Sequence, residues 1–273
     1  MTNILIAITA YIIDKIFGEF KFFRHPVEYI KDMIFWFERS YYEDSFVRGV
    51  YLIVFMVGSI GFIGIVIEEY LSYFSTLFTV LISSFVASMF ISYKTLQEFL
   101  KEMLHKGDKH TFQKYFSEYE LGEVEQNKLY ALSLELFAKN LNNKVIAPIF
   151  YLLLFGIPGI LIYKTVKTTD VYVGYKTKKY TLYGKATALL DDVLNYIPSR
   201  ITATLIMLFS SQKDLFSFYE EGQKHESPNA GHPLKALAIA LDIELKKRKN
   251  TFEYMETNIS QNQLENALRL FCK

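Results

Sequence analysis

Long runs without a charged side chain constrain this chain more than any other feature of its sequence. Three of them reach the length of about 18 residues that a helix needs to cross a bilayer core. A soluble domain would instead carry charged residues along the exposed face of each helix. The sequence therefore predicts an all-α, polytopic helical membrane protein. The uncharged runs are residues 1–13, 49–67, 70–93, 145–163 and 201–212.

The first half of the chain predicts three clear crossings. Its start lacks the basic region, short apolar core and small-residue cleavage site of a signal peptide, so we interpret residues 2–17 as a retained first membrane helix. The runs at 49–67 and 70–93 are separated only by Glu68 and Glu69. This spacing predicts a tight hairpin of two spanning helices with an acidic tip.

The basic residues lie outside these runs and indicate an orientation. Basic loops face the cytoplasm by the positive-inside rule. Three crossings then place the N-terminus outside and the functional loops on the cytoplasmic side of the inner cell membrane. The formal net charge of +1 gives no indication of a nucleic-acid partner. The 30 Lys and Arg residues divide into six in 14–48, eight in 94–144, seven in 164–200 and nine in 213–273.

The run at 145–163 conflicts with this orientation if it simply crosses, because the basic segment 164–200 would then lie outside. Its second half contains Gly156-Ile157-Pro158-Gly159. Proline removes a helix hydrogen bond, and glycine permits sharp backbone turns. Two interpretations stay open here: a broken, re-entrant helix that returns to the cytoplasmic side, and a kinked spanning helix. The run at 201–212 is too short to cross alone and could pair with it.

The remaining segments predict helices outside the bilayer core. Residues 94–120 interleave charges with apolar residues at three- and four-residue spacings, which is typical of an amphipathic helix. Such a helix either lies at the membrane boundary or packs on its neighbours in the cytoplasm. We treat 1–273 as a single integral membrane domain. Its parts are N-terminal membrane helices at 1–93, a cytoplasmic helical segment at 94–144, a motif-bearing catalytic region at 145–245 and a charged tail at 246–273.

The segment before residue 200 contains the densest group of polar residues with chemical potential. Residues 185–197 fit a short helix closed by Pro198. On it, Asp191 and Asn195 are four residues apart and share a face, while Asp192 is three residues before Asn195. Oxygen-bearing side chains on one helix edge suit Mg²⁺ or a metal-bound phosphate. A solvated acidic edge is the alternative interpretation.

Two other places could bind or transfer charge. Asn229-Ala230-Gly231 precedes a helix that starts near Pro233, so backbone N–H groups there could bind a phosphate. An ordinary N-terminal turn is the alternative. Asp14 lies near the end of the first apolar helix, where a carboxylate is costly to bury unless it reaches interfacial water. His225 and His232 flank the turn, and we interpret them as loop histidines and not as ligands.

In their order, these features resemble one family, the membrane-bound adenosylcobinamide-phosphate synthases of the CobD/CbiB type. The dense part of the resemblance covers residues 135–241, with a shorter patch at 14–30. The matching strings are Asp14, Gly18-Glu19 and His25-Pro26-Val27; Glu135, Asn140 and Val145–Tyr151; Gly156–Gly159, Tyr163, Thr168, Asp170 and Val173-Gly174-Tyr175; Tyr180, Gly184, Leu190-Asp191-Asp192, Asn195, Ile197-Pro198 and Arg200; and Ser227–Gly231, Pro233, Ala236 and Ala238.

The resemblance implies an enzyme of cobalamin (corrinoid) biosynthesis. It would be an ATP-dependent ligase that joins adenosylcobyric acid to aminopropanol or its phosphate through an amide bond. ATP would activate the carboxylate, and Mg²⁺ with cationic side chains would stabilise the transferring phosphoryl group. The implied partners are the corrinoid, the amino alcohol or its phosphate, the lipid bilayer and a membrane-bound next enzyme of the pathway.

The resemblance also implies roles for particular residues. The expected catalytic residues are Asp170, Asp191, Asp192, Arg200, His25 and Asp14. The three later aspartates would be the metal and nucleotide carboxylates, with Mg²⁺ on Asp191 and Asp192. Arg200 would clamp a phosphate through its planar fork, and the two N-terminal residues would handle protons or recognise the amine. The expected cofactor-binding residues are Asn195, Ser227, Asn229, Gly231, Gly174 and Tyr175.

Several positions depart from the family pattern. The pattern has Glu at Lys139, Asp at Asn143, Gly at Lys144, Asn at Lys167, Arg at Leu189 and Asp-Pro at Glu19-Phe20. Either the substrate contacts are rearranged, or the activity is altered or lost. The competing hypothesis is a diverged, non-catalytic membrane relative that binds a corrinoid or a partner enzyme. A transporter or channel is a third, weaker hypothesis, because few ionisable residues lie inside the apolar runs.

Overall fold

A computed structural model describes residues 2–20, 24–117, 119, 121–122, 124–174, 178–210, 214–243 and 259–272. All regular structure in these ranges is helical, as the sequence predicts. The helices are α1 (Thr2–Phe17), α2 (Pro26–Tyr41), α3 (Phe46–Ser72), α4 (Thr76–Ser88), α5 (Tyr93–His105), α6 (Lys109–Tyr115), α7 (Gln126–Leu141), α8 (Ala147–Val173), α9 (Lys185–Phe209), α10 (Phe218–Gly222), α11 (Gly231–Ala240) and α12 (Gln261–Phe271). A π-helical turn (Asn142–Ile146) joins α7 to α8, and a 3-10 turn (Lys178–Tyr180) precedes α9.

Three helical stretches in these described ranges are long and apolar enough to cross a membrane. They are α3, the pair α4–α5 over Thr76–His105, and α7–α8 over Gln126–Val173. Helix α3 leaves Val54, Phe62 and Ile65 exposed along its length. Exposed apolar side chains of this kind suit a lipid environment, and the chain is a polytopic helical membrane protein.

Helix α1 has the predicted bounds, whereas the predicted hairpin differs from the structure. Helix α1 has 16 residues and is therefore about 24 Å long, and it is not among the three candidate spans. The tip of the predicted hairpin is displaced. Helix α3 continues through Glu68 and Glu69, and the chain turns only at residues 73–75. The turn forms there because the Ser75 hydroxyl accepts the N–H of Phe78 and so caps α4.

Helix α8 is a hairpin of two helical parts, as the re-entrant interpretation predicts. Gly156 has φ 62° and ψ −149°, a backbone conformation that side chains with a Cβ rarely adopt. The rings of Tyr151 and Tyr163 stack with centroids 5.2 Å apart. A straight helix would separate these two residues by about 18 Å. The chain therefore reverses direction at Gly156.

Helix α9 continues through Pro198, where the sequence predicted an end. Proline leaves the carbonyl of the residue four positions earlier, Leu194, without its helical N–H partner. The hydroxyl of Tyr151 donates to this carbonyl at 2.8 Å. Because that lost bond is replaced, the uncharged run at 201–212 is largely the second half of one long helix and not a separate short segment.

The contacts within the chain divide it into two compact units. The first contains residues 1–93 and 143–195, and the second contains residues 94–142 and 196–273. The first unit has an apolar core where α2, α3 and the end of α8 meet Tyr183. Its buried members are Ile30, Ile34, Phe37, Leu52, Met56, Val173 and Tyr183. This division into two units does not test the predicted single integral membrane domain, which stays a prediction.

The second unit buries the apolar face predicted for residues 94–120. The face belongs to α5 and α6, and its aromatic rings pack edge to face around Phe99. This packing favours a helix that rests on its neighbours over one at a membrane boundary. The buried members are Leu96, Phe99, Leu100, Met103, Phe112 and Phe116. Half of the predicted charged tail, residues 246–258 and 273, lies outside the described residues, and its described part contains α12.

The left-handed backbone at Gly156 generates a prediction about stability. Gly156→Ala should lower the free energy of unfolding by about 1–3 kcal/mol, because a Cβ strains this conformation. The control is Gly58→Ala on the exposed side of α3, where nothing lies within 4 Å of an added Cβ. It should leave stability unchanged or raise it by up to about 1 kcal/mol. Thermal unfolding in one detergent compares the two, and equal effects would contradict the assigned reversal.

Candidate functional site

The first unit brings three charged side chains from α8 and α9 together. The ammonium group of Lys167 lies 2.7 Å from Oδ2 of Asp191 and 3.4 Å from Oδ2 of Asp170. Lys167 and Asp170 are three residues apart on α8, whereas Asp191 comes from α9. All three side chains are less than a quarter exposed. The ammonium group therefore links two carboxylates that the sequence separates by 21 positions.

A second layer of hydrogen bonds fixes the Asp191 carboxylate. The side-chain amide of Asn195 donates to Oδ1 of Asp191 at 3.0 Å, as expected for residues four apart on one helix face. The Oδ1 atom of Asn195 accepts the Tyr163 hydroxyl at 3.0 Å. Tyr163 is fully buried and stacks on Tyr151. The reversal of α8 thus supports the carboxylate through Tyr163 and Asn195.

The backbone around Gly174 closes the other side of this group. Gly174 caps α8, and an added Cβ there would lie 2.2 Å from Oδ1 of Asp170. Only glycine allows the chain to pass so close to that carboxylate. Asp192, the neighbour of Asp191, is half-buried and acts on it electrostatically. Tyr175, the other residue expected here, lies outside the described residues.

Electrostatics give Asp191 the properties of a proton acceptor. Burial raises the pKa of its carboxyl group to about 6, against the opposing attraction of Lys167. A carboxylate whose pKa lies near neutrality is better matched to general base catalysis than an ordinary surface aspartate. The group therefore contains a fixed positive charge and a carboxylate suited to accept a proton.

The predicted Mg²⁺ site at Asp191 and Asp192 does not fit this arrangement. Both oxygens of Asp191 already accept hydrogen bonds, one from Lys167 and one from Asn195. Magnesium requires near-octahedral coordination by oxygen. Among the described residues, no group of three His, Cys, Asp or Glu side chains is placed to hold a metal ion.

Asp14 and Lys164 are further buried charges of the first unit. Asp14 is fully buried, and its Oδ2 accepts the backbone N–H of Tyr93 at 2.7 Å. Lys164 is 9% exposed and lies within electrostatic reach of Asp14 and Glu19. Lys164 is absent from the residues that the sequence singles out, and Lys167 enters there only as a departure from the family pattern. The signal was available, because two lysines three residues apart follow an uncharged run.

His25 has a structural role in the same unit. Its Nδ1 accepts the N–H of Val27 at 3.2 Å and so caps α2. The neutral ring then carries its proton on Nε2, which donates to the carbonyl of Met89 at 2.8 Å. Since the backbone engages both nitrogens, this geometry favours a capping role over the expected proton handling.

The second unit holds the other expected residues around the Ser227–Gly231 turn. One terminal nitrogen of Arg200 donates to the carbonyl oxygen of Tyr196 at 2.8 Å and to Oδ1 of Asn229 at 3.2 Å. Its other terminal nitrogen donates to the carbonyl of Pro228 at 3.4 Å. The Ser227 hydroxyl accepts the N–H of Ala230 at 3.2 Å and shapes the turn. The fork expected to clamp a phosphate is therefore engaged in fixing this turn.

His232 is a buried residue of this unit that the sequence analysis assigned to a loop. It lies in α11, directly after Gly231, and its ring stacks on Tyr219 with centroids 5.4 Å apart. Within the described ranges, neither ring nitrogen has a hydrogen-bond partner, and the same is true of Nε of Arg200. Burial, aided by the charge of Arg200, lowers the pKa of His232 to about 4.

The expected site residues thus fall into two groups, one in each unit. The first unit holds Asp14, His25, Asp170, Gly174, Asp191, Asp192 and Asn195, and the second holds Arg200, Ser227, Asn229 and Gly231. Within the first group, the structure brings Asp170, Asp191 and Asn195 into direct or shared contact. Asp14 and His25 contact the chain around α4 and its end instead.

Comparisons with known proteins agree over most of the chain. A family model described as CobD/Cbib protein matches residues 7–271. The "Probable cobalamin biosynthesis protein CobD" of Methanococcus maripaludis strain C7 is 31% identical over 268 residues, covering 90% of this chain and 87% of the relative. The "Cobalamin biosynthesis protein CobD" of Dehalococcoides mccartyi strain CBDB1 is 30% identical over 264 residues, covering 90% and 85%. No solved structure matches the chain.

The buried His232 generates a prediction about pH. Its folded pKa of about 4 lies below its ordinary value of 6.5. Between these values the unfolded chain binds the proton more readily, so stability is full above pH 6.5 and falls as the pH drops towards 4. From pH 7 to pH 5, the free energy of unfolding should therefore fall by roughly 1–2 kcal/mol less in His232→Phe than in the wild type.

Chemical unfolding at the two pH values measures this difference. His110→Asn, a change at an exposed histidine of the same unit, is the matched control. Parallel pH dependence of the wild type and His232→Phe would contradict a buried neutral imidazole.

Proposed function

Because this chain belongs to the CobD/CbiB family of cobalamin biosynthesis, we propose that it is the synthase that forms the amide bond of adenosylcobinamide or its phosphate. The acid is the free carboxyl group of adenosylcobyric acid, and the amine belongs to aminopropanol or its phosphate. The match over residues 7–271 carries this proposal. The ion group of Lys167, Asp170 and Asp191 supports it, because it brings together two of the carboxylates that the family resemblance implies for catalysis.

The chemistry requires activation of the acid. A carboxylate is a poor acyl donor, so its oxygen first attacks the γ-phosphoryl group of ATP, which releases ADP and forms an acyl phosphate. The amine then attacks the carbonyl carbon, loses a proton to a base, and expels inorganic phosphate. Magnesium enters as MgATP, that is, with the substrate, and stabilises the charge of the transferring phosphoryl group.

Asp191 is the base in this proposal. Its carboxyl group lies in a nearly buried position, and burial raises its pKa to about 6. Such a carboxylate accepts the amine proton more readily than a solvated aspartate would. Lys167 keeps the carboxylate in place and compensates its charge. Asp170 holds the same ammonium group from the other side.

The turn around Asn229 and Gly231, in the second unit, is the proposed phosphate-binding element. Arg200 fixes the turn through Asn229 and Pro228, so the turn has a defined shape without a ligand. The start of α11 then offers its first N–H groups to a phosphate of ATP or of the amino alcohol. The functional loops face the cytoplasm, where ATP is available, and the product passes to a membrane-bound next enzyme.

A diverged, non-catalytic relative is the second candidate. It is favoured by one observation, the ammonium group of Lys167 seated on both expected catalytic carboxylates. Such a protein would bind a corrinoid without converting it. The two candidates differ in product formation: the synthase makes an amide only when ATP is present, and the binding protein makes none.

The first test is product formation. The purified chain should convert adenosylcobyric acid and aminopropanol phosphate to the amide in the presence of MgATP, and it should rescue a strain that lacks the synthase. Mass spectrometry detects the product. A folded chain that binds the corrinoid but yields no amide with either amine, in vitro or in the strain, would exclude the synthase.

Asp191→Asn tests the proposed base. The substitution should lower the rate of amide formation roughly 100-fold or more, because the amide cannot accept the proton. The control is Asp32→Asn, which removes one partner of an exposed ion pair with Arg24 and should leave the rate unchanged. A rate for Asp191→Asn within twofold of the wild type would rule out its role as base.

A further inference from the structure

We propose that the ammonium group of Lys167 occupies the place of a divalent cation between Asp170 and Asp191, so that this chain closes its own carboxylate pair and binds no resident metal ion there. The observation is a single ammonium group within ion-pair distance of both carboxylates, at 2.7 Å and 3.4 Å. A bound cation between paired carboxylates would make the same two contacts.

The surroundings leave little room for a second cation. The Oδ1 atom of Asp191 accepts the Asn195 amide, and its Oδ2 atom accepts Lys167. The Oδ1 atom of Asp170 faces the backbone at Gly174, where an added Cβ would come within 2.2 Å. A divalent ion would have to displace the ammonium group or lie beside it, and like charges repel strongly in a nearly buried site.

Burial also keeps the ammonium group of Lys167 paired with Asp191. The Lys167 side chain is 19% exposed, and the Asp191 side chain is 12% exposed. Separating them would leave two poorly solvated charges without compensation, which is far more costly than breaking a surface pair. Lys167 is also anchored on α8 itself, three residues before Asp170, so it is present at high local concentration.

The inference specifies a change that should create a metal site. Replacing Lys167 with glutamine removes the charge and adds an oxygen ligand on a side chain that is one bond shorter. The two carboxylates then lack their cation, and a divalent ion can take its place. This inference does not rest on the proposed amide synthesis, since metal binding is measured without substrates.

Mn²⁺ binding tests the inference, because free Mn²⁺ gives an electron paramagnetic resonance signal that disappears when the ion is bound. The full chain in detergent is titrated as wild type, as Asp191→Asn, as Lys167→Gln, and as the double variant Lys167→Gln with Asp191→Asn. The wild type should show no saturable site that depends on Asp191. Lys167→Gln should gain one saturable Mn²⁺ site, and the double variant should lose that site.

Two results would overturn the inference. One is a saturable Mn²⁺ site in the wild type that the single change Asp191→Asn removes. The other is a folded Lys167→Gln chain, verified by its helical circular dichroism, that gains no site. Should Lys167→Gln not fold, Lys167→Asn repeats the test with a shorter side chain. The comparison of wild type with Asp191→Asn decides the first result in any case.

Discussion

The reversal of the chain at Gly156 is the constraint on which the first unit depends. Its left-handed backbone folds α8 back on itself and stacks Tyr151 on Tyr163. The hydroxyl group of each tyrosine also donates a hydrogen bond. Tyr151 supplies the hydrogen bond that Pro198 cannot give to Leu194, and this keeps α9 continuous. Tyr163 fixes Asn195, which in turn holds Asp191. One glycine conformation thus positions the carboxylate.

Charge burial is the second theme of the molecule. Uncompensated charges are costly in an apolar surrounding, so each buried one here is near an opposite charge or a backbone N–H. Asp14 accepts the N–H of Tyr93, and Asp191 accepts Lys167. Such pairs contribute little net stability, because desolvation offsets their attraction. Their retention in a membrane protein therefore fits a functional role better than a purely structural one.

The two units use their polar residues in different ways. In the first, Lys167, Asp170 and Asp191 form an ion group in which one ammonium group contacts two carboxylates. In the second, the terminal nitrogens of Arg200 donate to the turn that precedes α11 and fix its shape. Both sets lie within residues 7–271, the region that matches the family of cobalamin biosynthesis.

The sequence alone predicts the helical membrane class, a break or kink within Gly156–Gly159 and the shared face of Asp191 and Asn195. These follow from local rules: charge-free length, backbone freedom and helical spacing. It could not predict that α9 passes through Pro198, or that Lys167 reaches Asp191. Both depend on side chains from a distant part of the chain, and helix propensity contains no information about such partners. The continuity of α9 and the contact between Lys167 and Asp191 both depend on tertiary packing, which places a donor beside each acceptor.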